Sequence, residues 1–250
     1  MASRTHPAAH AHGELREVLP NVFFVTGTMR MPGPLPVSFS RNMTVVREGE
    51  RLILVNSVRL DDAGLRSLDA LGKVTDIVRV AGYHGMDDPF YKERYGAKVW
   101  VVKGQRYVAG FNAAVPTAET YLTPDAEMAA GSPLPIANAR IYQIASNAPE
   151  GLLLLERDGG VLVSGDCLQN WQAPDAYFSL AGRLMMRAMG FIKPHNIGPA
   201  WLKQTKPPAA DLLGILDLDF DHVLPAHGSA VIGGAKAGYR PRIEAFRTNG

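Results

Sequence analysis

Two histidines and two carboxylates stand where β-type runs give way to loops: His84 and Asp88 in GYHGMDDP, Asp166 in GVLVSGD and His227 in DHVLPAHG. Imidazole and carboxylate hold divalent cations such as zinc, iron or manganese, and three or four of them delivered from separate strand ends leave coordination positions open for water. An ion held in that way lowers the pKa of its water toward neutrality. A carboxylate beside it, here Asp88, takes the proton as the water attacks a carbonyl or phosphoryl group. The same residues have a plainer use. A lone Asp at a strand end often caps a turn or helix, and a buried Asp–His pair can be a hydrogen-bond network that shapes a ligand site without turnover.

The elements that must position these residues follow from periodicity. NVFFVTG and NMTVVREGERLILVNSV read as strands, the second with a hairpin turn at Glu48, Gly49 and Glu50. Between them MRMPGPLPVSFSR holds three prolines and reads as a loop. DDAGLRSLDALG places Leu65, Leu68 and Leu71 at helical spacing, with Asp61 or Asp62 as cap and Gly72 as stop. VTDIVRVAG, PFYKERYG and AKVWVVKG continue the alternation of strand and helix that signals parallel pairing. Residues 105 to 138 are weakly periodic and receive no assignment. ARIYQIAS, GLLLLERDG and GVLVSGD then read as strands, the last two joined at Asp158-Gly159-Gly160. FSLAGRLMMRAMG and DLLGILDLD read as helices, DHVLPAHG as a short strand, and GGAKAGYRPRIEAF as a closing helix that Pro241 should kink or divide. The plan is α/β, with two sheets face to face and helices outside both.

Composition narrows the function classes. The 250 residues, 46% of them apolar, suffice for one large core, so residues 16–250 are expected to form a single domain behind a flexible tail, residues 1–15, that carries His6, His10 and His12. The 26 basic and 24 acidic residues are scattered along the chain, which points away from nucleic acid. Neither a secretory signal nor a membrane-spanning run is expected, and no membrane partner. The single cysteine, Cys167, excludes an internal disulfide and fits a cytoplasmic setting, and its thiol should turn into the core. Met185, Met186 and Met189 read as core filling, with a lid over an apolar substrate as the alternative. Tyr83, Trp171 and Tyr177 adjoin the motif loops as candidate pocket walls, and His195, in KPHNIG, is a loop histidine within reach of the cleft.

The order and spacing of these motifs resemble the metallo-β-lactamase fold superfamily. There a His-x-His-x-Asp-His loop follows one strand, a middle His follows a later one, an Asp ends a GVLxxGD strand, and a last His ends a strand near the carboxyl terminus. GVLVSGDCL and DFDHVLPAHGSAVIGGAK are especially similar, and the likeness runs from about Val18 to about Phe246. It implies a four-layer αβ/βα sandwich whose edge holds one or two zinc or iron ions that activate water for hydrolysis. Laid on HGMDDP, the motif keeps His84 and Asp88 but meets Met86 and Pro89 where histidines are expected, and Asn147 stands at the middle position. A metal position built on Asp88, Pro89, Asp166 and His227 lacks one imidazole, while one built on His84, Met86, Asn147 and Asp166 lacks two. The expectation is therefore one weakly held divalent ion (zinc, iron or manganese) at the former, with His84 nearby and Tyr83, Met86, Asn147, Trp171 and His195 around the pocket. The function implied is hydrolysis of an ester- or lactone-type bond in a small molecule. A metal-free ligand- or partner-binding protein and an iron-dependent oxidative role are the alternatives.

Overall fold

A meander of alternating apolar strands opens the first sheet. In the computed structural model, which describes residues 6–31, 33, 36–109, 115 and 117–248, β1 (Arg16–Leu19), β2 (Val22–Arg30), β3 (Ser38–Glu48) and β4 (Arg51–Val55) pair antiparallel in that order. Helix α1 (Asp62–Leu71) then crosses over, so β5 (Lys73–Arg79) returns parallel to β4; its start is fixed by the Asp61 side chain, which accepts from the Gly64 N–H. Helix α2 (Asp88–Tyr95) makes a second crossover to β6 (Lys98–Val102). The weakly periodic stretch supplies a small ribbon, β7 (Tyr107–Val108) with β8 (Thr120–Leu122), and β9 (Ala126–Met128), which closes a seven-stranded sheet beside β6.

The second sheet starts as another meander, β10 (Ala139–Ile144), β11 (Glu150–Leu155) and β12 (Val161–Ser164), turned between the last two by positive φ at Asp158, Gly159 and Gly160. Beyond it come β13 (Leu168–Gln169), α3 (Leu180–Ala188), β14 (Asn196–Ile197), α4 (Pro199–Thr205) and α5 (Ala209–Gly214). The chain re-enters the sheet as β15 (His222–Pro225), parallel to β12, and ends in α6 (Ala235–Glu244), which Pro241 does not divide. Val46, Ile53, Val78 and Val80 of the first sheet meet Leu153, Leu155, Val163 and Leu224 of the second. Leu65, Leu68 and Tyr91 cover the outer face of the first sheet, and Trp201, Leu212, Tyr239 and Ile243 that of the second. The result is the expected four-layer αβ/βα sandwich.

Two expectations are corrected. Residues 6–15 are docked along the molecule rather than loose: the Thr28 N–H donates to Ala11 O (3.0 Å), the Gly13 N–H to Thr26 O (2.8 Å), and the Asp61 N–H to His12 Nε2 (2.9 Å). β1 pairs only with the start of β2, and the remaining edge of that long strand offers backbone groups that the tail satisfies. The proline-containing loop is also shorter than expected. β2 and β3 run into it as a hairpin arm with Met29 opposite Phe39 and Arg30 opposite Ser38, because its prolines all fall between the strands, at positions 32 to 36. Of these, Pro32 and Pro34 lie outside the described residues.

Candidate metal centre

Strand register places two of the candidate residues side by side. β12 and β15 are parallel with Ser164 opposite Pro225. Asp166 and His227 each lie two residues further on, so they leave the sheet at the same edge and level. The end of β5 is tied to that edge across the sandwich: Asn56 Oδ1 accepts from the Val80 N–H (3.2 Å) while Asn56 Nδ2 donates to Ser164 O (3.2 Å), and the Gly151 N–H donates to Val80 O (2.8 Å). His84 follows within one turn. Each histidine is followed by a glycine held at positive φ, Gly85 at 96° and Gly228 at 90°. A Cβ at Gly85 would press on the Tyr107 ring and the Asp88 carboxylate, and one at Gly228 on the Asn170 backbone.

Three side chains converge as a result. His227 Nε2 lies 3.1 Å from Asp166 Oδ1 and 3.1 Å from His84 Nε2, and His84 Nε2 lies 3.5 Å from Asp166 Oδ1. Ligand bonds of 2.0–2.1 Å in a tetrahedron set donor atoms about 3.4 Å apart, so these separations suit a single ion. The tautomer of His227 is dictated by its other nitrogen: Nδ1 faces Ser40 O at 3.1 Å and must carry the proton, which leaves the Nε2 lone pair toward Asp166 when the ring is neutral. Asp166 Oδ2 is buried with no hydrogen-bond partner. Two imidazole nitrogens and Asp166 Oδ1 thus lie within 3.5 Å of one another, with the second carboxylate oxygen unpaired, so the donor set fits a divalent metal.

The electrostatics agree. Burial pushes the Asp166 carboxyl upward, but His84 and His227 outweigh it and hold Asp166 well below the ordinary range, in its ionised form. Burial lowers the pKa of His84, against the pull of Asp166 and with the help of His227 and Arg41, so its neutral, ligating form is favoured. Behind the cluster Glu150 Oε1 accepts from the Cys167 N–H (2.6 Å), and burial, then the Asp166 charge, push the Glu150 carboxyl well up.

Asp88 is not part of this convergence. Among the described residues the grouping that could hold an ion is His84, Asp166 and His227. The Asp88 side chain is fully buried at the start of α2, where it accepts from the Ser57 hydroxyl and the Tyr107 hydroxyl. Both carboxylate oxygens are thus engaged by distant hydroxyls, and the pair of strand ends that close the site is joined by His84 instead.

The cluster floors a cavity of about 240 Å³. Met29, Met31 and Phe39 of the hairpin arm, Met185, Met186 and Met189 of the α3 region, and Trp171, Phe191 and Trp201 make its walls mostly apolar, while Arg41, Gln169 and Gln204 add polar groups. Of the residues expected at the pocket, Tyr83, Met86 and Trp171 line it. Asn147 is exposed and donates its backbone N–H to Thr205 O (3.0 Å), away from the cavity. His195 packs on Tyr239, with ring centroids 5.1 Å apart, and Tyr177 lies against Gly13. Cys167 is buried, and burial raises its thiol pKa. Arg41, whose guanidinium pairs with Asp87, was not legible beforehand because its stretch read as loop. His227 is gripped between Phe39 and Trp171, at ring separations of 5.9 and 5.1 Å, and the indole N–H of Trp171 donates to Ser40 Oγ (2.8 Å).

The sequence matches no protein-family model and no curated protein. Solved structures match nearly end to end. The DIM-1 metallo-β-lactamase exposed to ceftazidime is 13% identical, with a TM-score of 0.59 over 96% of this chain and 100% of that one. The metallo-β-lactamase FIM-1 from Pseudomonas aeruginosa, in its mono-zinc form, is 12% identical, with a TM-score of 0.59 over 96% of this chain and 97% of that one. A metallo-β-lactamase from Hirschia baltica is 16% identical, with a TM-score of 0.55 over 92% of this chain and 96% of that one.

Proposed function

Because the chain has the metallo-β-lactamase fold in a divergent form, we propose that it is a cytoplasmic metal-dependent hydrolase with a mononuclear site, cleaving an ester- or lactone-type bond in a small, largely apolar molecule. His84 Nε2, His227 Nε2 and the Asp166 carboxylate are the ligands. The observation that carries this is the separation of those donor atoms, 3.1, 3.1 and 3.5 Å, among three residues that line a cavity. Zinc, iron(II) or manganese bound there would supply an acidified water and polarise a carbonyl.

The chain's own residues do the rest. Ser40 O fixes the His227 ring, and Phe39 and Trp171 shield it from bulk water. Arg41, paired with Asp87, lines the cavity near His84 and would lend a polar wall to a bound carbonyl. Asp88, enclosed by the Ser57 and Tyr107 hydroxyls, takes no part at the site. The methionine-rich wall holds an apolar substituent.

Chelator-stripped protein should take up one equivalent of zinc, iron(II) or manganese, measured by elemental mass spectrometry after desalting, and hydrolyse medium-chain aryl esters or aliphatic lactones only when loaded. Asp166→Asn should hold no ion. A folded wild-type protein that stays empty at saturating levels of all three metals refutes the proposal and leaves the ligand-binding alternative.

A further inference from the structure

Six large apolar side chains are exposed among the described residues, and two of them, Leu180 and Leu184, lie one helical turn apart on α3. Leu180 is 74% exposed and Leu184 63%, whereas Met189, just past the end of α3, lies on the cavity wall that it shares with Met86. The inner side of α3 is also apolar, with Met185 and Met186 lining the cavity. A surface helix with apolar residues both toward the core and outward has a second apolar environment to meet.

Charge identifies that environment. From Ala176 to Ala210 the chain holds Arg183, Arg187, Lys193, Lys203 and Lys206 and no Asp or Glu, although the whole chain is nearly balanced. All five cations are exposed. Leu180, Arg183, Leu184 and Arg187 follow at helical spacing, so two of these cations share the outward face of α3 with the leucines. Arginines interleaved with outward leucines match an anionic lipid surface, in which the apolar side chains enter the acyl boundary and the cations meet headgroups. A second copy of this chain fits poorly, because a twofold contact would set Arg183 and Arg187 against their own copies. No helix among the described residues is long and apolar enough to cross a membrane, so the attachment is to its surface.

We propose that the outward face of α3 docks on an anionic lipid bilayer through Leu180 and Leu184, with Arg183 and Arg187 beside them. The docking is independent of metal chemistry at the cavity floor. Flotation with vesicles tests it. The protein should rise with vesicles rich in phosphatidylglycerol, stay behind with phosphatidylcholine alone, and be released by added salt. Arg183→Gln with Arg187→Gln should weaken partitioning about 25-fold. Leu180→Ser with Leu184→Ser should weaken it at least about tenfold, while Ile232→Ser, an exposed apolar residue elsewhere, should not change it. These are surface positions, and unchanged circular-dichroism melting curves verify that each variant is folded. Metal-stripped wild type should float as well as loaded protein, so a failed metal site and a failed docking face are told apart. No binding to anionic vesicles, binding unaffected by the serine pair, or self-association seen by sedimentation velocity in place of vesicle binding would each overturn the proposal.

Discussion

Replacing Asp88 by Asn separates a carboxylate that ties the fold together from one that serves the site. Asp88 Oδ1 accepts from Ser57 and Oδ2 from Tyr107, in a fully buried position where burial pushes the carboxyl up while the two hydroxyls and Arg79 pull it down. An amide keeps one acceptor and presents a donor where the other acceptor stood, so one hydroxyl must find a new arrangement at a cost of about 1–3 kcal/mol. In a domain of this size each kcal/mol is about 2–4 °C in Tm, which places the drop near 4–8 °C for a mid-range loss. Asp88→Ala leaves both hydroxyl donors unmatched and should cost about 2–6 kcal/mol. Metal uptake should be untouched by Asp88→Asn, because the converging donors are His84, Asp166 and His227. Asp166→Asn should do the reverse: affinity for the ion falls by more than about 100-fold, and the metal-free protein melts closer to wild type than Asp88→Asn does. Scanning calorimetry in chelator and metal titration by isothermal calorimetry read the two effects separately. An Asp88→Asn protein that melts like wild type yet binds no metal would refute the assignment and return Asp88 to the ligand set.

Stability of the metal-free protein should depend on pH through His84. Burial holds its folded pKa below the ordinary 6.5, so between the two values the unfolded chain binds more protons. The contribution is complete above 6.5 and is lost as pH falls through the folded value. Urea midpoints should therefore decline on acidification, less steeply in His84→Gln, and an identical slope in the variant would count against the stated burial effect. His12→Ala should remove the acceptor for the Asp61 N–H, lower stability by about 1 kcal/mol, and speed hydrogen exchange at Gly13 and Thr28. Unchanged exchange there would mean that the amino-terminal segment is held by its backbone pairing alone.

Asp166 and His227 were legible in the chain because each ends a short apolar run, and a run buried on both faces has to surrender its first polar residue at a sheet edge. The layered plan followed in the same way from the order of strands and helices, since meander and crossover segments carry different periodicities. Asp88 shows the limit of such inference. Motif spacing places it four residues after His84 but says nothing of Ser57, 31 positions earlier, or Tyr107, 19 positions later, whose hydroxyls claim its oxygens. Asn147 and His195 fall outside the cavity for a similar reason: they stand next to the right segments in sequence, but their loops turn toward α4 and α6.

Local pattern thus determined the elements, the sandwich and the strand ends at which chemistry could sit, because periodicity and turn chemistry act over a few residues. Which ends met, which carboxylate stayed unsatisfied, and which arginine and methionines walled the cavity were decided only by packing one sheet on the other. Those outcomes depend on partners far apart in the chain, and a side chain's hydrogen-bonding capacity goes to whichever group the fold brings within about 3 Å.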